Sequence, residues 1–126
     1  MCAALLELDG YQEIDPQSPL GGPDGTKDIL CSKGGKKALA AVFFPPTPQT
    51  HAKVAKKFKA DLKGARKNRV QGFIFFVNRS LSPGERAQLI SHAKDIAVEI
   101  YHLERIRTLL DSPKGCGVRL EYLRIA

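Results

Sequence analysis

The chain has 126 residues, 43 % apolar and 26 % charged, which is the balance of a single folded domain and excludes a fibrous or fully disordered chain. Its net charge of +7 is carried by one stretch: residues 50–70 hold Lys53, Lys56, Lys57, Lys59, Lys63, Arg66, Lys67 and Arg69 against Asp61 alone, a concentration that either attracts a polyanion or merely solvates a helix face. Cys2, Cys31 and Cys116 lack any CxxC spacing, no secretory signal is visible and no apolar run reaches about 18 residues, so a disulfide framework, a zinc knuckle and a membrane partner are not indicated, and reduced thiols in a cytoplasm are expected.

Met1 to Leu8 contains helix formers throughout and stops at Asp9-Gly10. A helix that begins at the first residue without a cap implies that part of it lies upstream of this sequence. Tyr11 to Asp15 suits a short strand, and residues 16–25, rich in Pro, Gly, Ser and Asp, suit a loop. Asp28 to Cys31 and Ala38 to Phe44 read as strands joined by a turn over Ser32 to Lys36, where Gly34-Gly35 can take positive φ. The second of these has no polar residue, so burial on both faces in the centre of a sheet is expected. Pro45, Pro46 and Pro48 stop it. From Thr50 to Asn68, Val54, Phe58 and Leu62 recur at four-residue spacing with Ala55 and Ala65 beside them, which predicts a helix with one buried stripe and lysines on its other faces. Phe73 to Val77 is an apolar strand. Ser82-Pro83-Gly84-Glu85 is a capping box that opens a helix reaching about Lys94. A strand at Val98–Tyr101, a short helix from His102 to Leu110 and a last strand from Val118 to Ile125 complete the order. Helices between the later strands imply parallel pairing, while the early hairpin is antiparallel. The expected architecture is α/β, one domain over residues 1–126, with a mixed central sheet flanked by helices.

Leu5-Leu6, Gly10-Tyr11 and the run Gly22-Pro23-Asp24-Gly25-Thr26-Lys27-Asp28-Ile29 resemble the opening of Mrr-type nucleases, whose pattern is helix, LL…GY, loop, GxDGGxD, apolar strand, then QCK or ExK. Phe75-Phe76-Val77-Asn78, the Ser82 helix and the Ile100 strand are similar to the second half of that family, so the resemblance spans most of the chain. It implies the restriction-endonuclease-like fold of the PD-(D/E)xK superfamily and metal-dependent cleavage of DNA. Two carboxylates would hold Mg²⁺ and a lysine would position the attacking water. Asp28 matches the first carboxylate and is the one candidate metal ligand. The second acid and the lysine belong on the next strand, one residue apart and on one face, where this chain has Ala41 and Phe43. A Glu that the family often carries on the first helix would fall before residue 1. Lys27, Lys36 and Lys37 lie near enough in sequence to stand in for the missing lysine. The expectation is a degenerate site with no cofactor, Mg²⁺ being implied only if cleavage survives.

Other motifs carry less. Gly21, Gly22 and Gly25 lack the strand–GxxxxGK[ST]–helix context of a phosphate loop. His51, His92 and His102 are isolated, and His102 could cap the helix that follows it. Asn78 sits at the carboxyl end of an apolar strand, where α/β sheets place ligands, but also suits a turn. In the basic helix 50–68, Lys53, Lys56, Lys57, Lys63, Arg66 and Lys67, together with Asn78, are the candidate nucleic-acid contacts. With no Trp and three Tyr in the chain, duplex DNA backbone suits them better than stacked single strands. The readings that follow are a degenerate nuclease-like module that binds nucleic acid, within a defence-type protein; an active nuclease with a rearranged site; and a structural or homodimerising module.

Overall fold

Alternation along one central strand sets the layering. The computed structural model describes residues 2–16, 26–112 and 115, with α1 Cys2–Leu8, β1 Gln12–Pro16, β2 Thr26–Lys33, β3 Lys36–Phe43, α2 His51–Lys67, β4 Gly72–Val77, α3 Pro83–Ile90, β5 Ala97–Tyr101 and α4 Leu103–Asp111. The five strands form one mixed sheet in the order β1-β2-β3-β4-β5. The first two pairings are antiparallel and the last two parallel. The chain is therefore α/β. β3 lies in the middle, and its apolar residues from Ala38 to Phe43 are all buried. Leu39, Ala41 and Phe43 pack with Val54, Phe58 and Leu62 of α2 and Leu89 of α3. Ala38, Ala40 and Val42 pack on the other face with Leu5 and Leu6 of α1 and Ile106 and Leu110 of α4. Two crossovers that proceed the same way across a sheet with one hand keep both helices on one face, which is the α2–α3 layer.

Local chemistry decides where the elements end. The β2–β3 turn is two residues, Gly34 at φ +60 and Gly35 at φ +79, conformations that side-chain-bearing residues rarely adopt. It is tighter than the Ser32–Lys36 turn expected from sequence, and Lys33 pairs with Lys36 in the ladder. α2 is capped by Thr50, whose hydroxyl accepts from the Lys53 amide. α3 has the full capping box: the Glu85 amide donates to Ser82 Oγ at 3.1 Å, and the Ser82 amide to Glu85 Oε1 at 3.0 Å. The helix ends at Ile90, four residues short of Lys94. The Ser91 hydroxyl donates to the Gln88 carbonyl at 2.6 Å, and Arg66 takes the His92 carbonyl at 2.8 Å, so these groups serve a turn instead. His102 precedes α4 without a side-chain cap bond. Its ring instead lies between Arg86 and Glu104, at 3.1 Å from each. The expected strand Val118–Ile125, most of the 16–25 loop with its glycines, and Cys116 lie outside the described residues. Burial pushes the Cys31 thiol up to about 11, which marks it as inert.

Candidate nucleic-acid interface

The hairpin places Asp28 directly across the ladder from Ala41. Cross-strand partners share a face, with Cβ atoms about 5 Å apart, so Asp28 points to the α2 side of the sheet. Phe43, two residues on from Ala41, shares that face. Asp28 is exposed, whereas Ala41 and Phe43 are buried with Val54 and Phe58. The positions that the resemblance assigns to a second acid and a lysine are therefore part of the apolar core.

The three stand-in lysines are not gathered at Asp28. Lys37 pairs with Ser32 and Lys36 with Lys33, four and five residues down the ladder, or about 13 and 17 Å at 3.3 Å per residue. Lys37 instead borders a trough of about 260 Å³ with Glu13, Asp15, Ser32 and Asn68. Lys27 occupies the β2 position opposite Val42, and its side chain lies outside the described residues. The polar pair that does share this flank comes from α2. Lys57 and Asp61 form an i,i+4 ion pair at 3.0 Å. Burial pushes the Asp61 carboxyl above the usual carboxylate range, Lys57 pulls it back, and the Asp28 carboxylate adds a further upward push. One oxygen of Asp61, Oδ2, is buried without a hydrogen-bond partner. The Lys57–Asp61 spacing was visible in the sequence; its placement on Asp28's side of the sheet was not.

The cations of α2 fall into two groups. Lys57 is held by Asp61, and Arg66 grips Asp95 through Nε and NH2 at 3.2 and 2.8 Å while also reaching the His92 carbonyl. That clasp holds the Asp95 carboxyl below its usual value. Lys53, Lys56, Lys59, Lys63 and Lys67 are exposed and make no ion pair among the described residues. Lys59 belongs with this group, although the sequence-based contact set omits it; successive helix residues turn by about 100°, and that count places it beside Lys56 and Lys63.

Asn78 sits apart from both features. Its side-chain amide donates to the Pro45 carbonyl at 3.2 Å. With Arg79, Phe43, Val54 and Pro46 it borders a cavity of about 220 Å³ at the carboxyl ends of β3 and β4. Arg79 is shared with Glu85 at 3.4 Å, and Glu85 also meets His51 at 3.3 Å.

No protein-family model matches the chain, and no curated protein matches it significantly. Among the described residues, no three His, Cys, Asp or Glu side chains converge as metal ligands, and no helix is long and apolar enough to cross a membrane.

Proposed function

We propose that the chain is a domain of restriction-endonuclease-like fold that has lost its cleavage chemistry and serves, in the cytoplasm, as a nucleic-acid-binding or interaction module of a defence-type protein. The observation that carries this reading is the Asp28–Ala41 register. It sets the one surviving acid beside a methyl group and, two residues on, a phenyl ring, where the Mrr resemblance calls for an acid and a lysine. Mg²⁺ takes about six oxygen ligands in near-octahedral geometry. Among the described residues the flank offers the exposed Asp28 carboxylate, with Asp61 committed to Lys57, and that set does not fit the ion. The unpaired lysines of α2 supply what binding needs without chemistry, a row of point charges for phosphates.

One observation favours a second reading, an active nuclease with a rearranged site. Asp61 and Lys57 bring an acid and a lysine from α2 to the side of the sheet that bears Asp28. That reading requires their ion pair to open. Incubating supercoiled DNA with the protein and Mg²⁺ or Mn²⁺ separates the two. The proposal expects intact substrate at all times, whereas nicking that disappears in Asp28→Ala would replace it with the active reading.

A further inference from the structure

We infer that duplex DNA docks on the outward face of α2, away from the Asp28 flank, so that the binding surface and the nuclease-like cleft over β2 are separate. This rests on the nucleic-acid reading above and adds to it the place and the partner.

The helix geometry carries the argument. Val54, Phe58, Leu62 and Ala65 point into the core. At about 100° per residue, Lys56, Lys63 and Lys67 point the opposite way, with Lys53 and Lys59 on either side of them. Lys53 to Lys67 covers about 21 Å at 1.5 Å per residue. Toward β2, by contrast, α2 shows Lys57 already neutralised by Asp61, near exposed Asp28. That flank repels phosphate, whereas the outward face attracts it. Among the described residues, the acids paired with α2 cations are Asp61, on Lys57, and Asp95, on Arg66, and none pairs with the outward lysines.

The same face argues against other partners. Its uncharged positions are Ala52 and Ala60, and the helix's large apolar side chains are all in the core, so it has no apolar side to sink into a bilayer. It has no aromatic or leucine anchor for a protein interface and no ring on which single-stranded bases could stack. A stiff polyanion with a charge every 1.7 Å or so, contacted through its backbone without base readout, fits what remains.

The test measures anisotropy of a labelled duplex of mixed sequence from about 50 to about 200 mM salt. Lys56→Gln/Lys63→Gln/Lys67→Gln should reduce the slope of log affinity against log salt by about 2 to 3, with roughly a hundredfold loss of affinity near 0.1 M. A charge-matched control, Lys36→Gln/Lys94→Gln/Arg107→Gln, removes three exposed cations elsewhere and should leave the slope in place. Placement is read by photocrosslinking from Ala60→Cys on the lysine face and from Leu30→Cys on β2. DNA adducts are expected from position 60, over the background of the parent chain, and not from position 30. Equal losses in both triple variants reduce the effect to net charge and overturn the inference, as do adducts from position 30 alone. Binding to vesicles of anionic lipid but not to duplex overturns the choice of partner. Failure of the parent protein to bind duplex at about 50 mM salt sinks the nucleic-acid reading itself.

Discussion

Under α2 and α3 the sheet meets rings. Phe58 sits edge-on to Phe73 and Phe75, each 5.3 Å away between centroids, and Val54, Leu62 and Leu89 fill the space around them. Under α1 and α4 the central strand presents the smaller Ala38, Ala40 and Val42, and the layer is tied at its rim by polar groups. There Phe76 stacks on Tyr101 at 4.6 Å, the Arg105 guanidinium lies 4.0 Å over the Tyr101 ring, and the Tyr101 hydroxyl donates to Asp9. Arg105 also reaches Glu99 at 2.8 Å and Asp9 at 3.5 Å. One face is thus held by close-packed rings, the other by an apolar core over smaller central-strand side chains, with a directional clamp at its rim. Asp28 looks out from the edge of the face whose centre is filled by Phe58, Phe73 and Phe75, surroundings that disfavour a polar group.

Removing the ring at the middle of the α2–α3 face should have the largest effect. Phe58→Ala is expected to lower unfolding free energy by about 3–5 kcal/mol, read from denaturant melts with an unchanged m-value; a loss below about 1 kcal/mol would erase the distinction between the faces. Tyr101→Phe keeps the stacked ring and deletes only the hydroxyl, so a loss of about 1 kcal/mol is expected. Asp9 keeps Arg105 as a partner. A loss as large as that of Phe58→Ala would show that the clamp, not the packing, dominates.

The smallest effect is a pH dependence. Burial, reinforced by Asp28, holds the Asp61 carboxyl above its ordinary 3.8. A raised acid favours folding in its protonated form, so its contribution is full below 3.8 and fades as the pH rises through the folded value. Asp61→Asn removes that term. The parent should therefore gain melting temperature relative to the variant as pH falls toward 3.8, and parallel curves would show that Asp61 is not strained by its surroundings.

Much of this was legible because it is local. The Val54–Phe58–Leu62 stripe, the Ser82 capping box, the Gly34-Gly35 turn and the wholly apolar β3 each follow from spacing within a few residues, and each appears in the fold. What was not legible joins distant positions. The Arg66–Asp95 clasp spans 29 residues and also helps to stop α3 early. The approach of Asp28 and Asp61 depends on which side of α2 overlooks β2. Lys36 and Lys37 looked close to Asp28 along the chain, but a tight hairpin carries them to its far end.

On the nuclease-like reading proposed above, the crowding around Ala41 and Phe43 also bears on whether an acid and a lysine could be built into those positions. A carboxylate at 41 or an ammonium at 43 would enter space now held by Val54 and Phe58, and an unpaired buried charge costs several kcal/mol. Neither substitution gains anything until the other is present and α2 has lifted. The packing works as a ratchet: each single step toward a polar pair lowers stability before any chemistry could be gained.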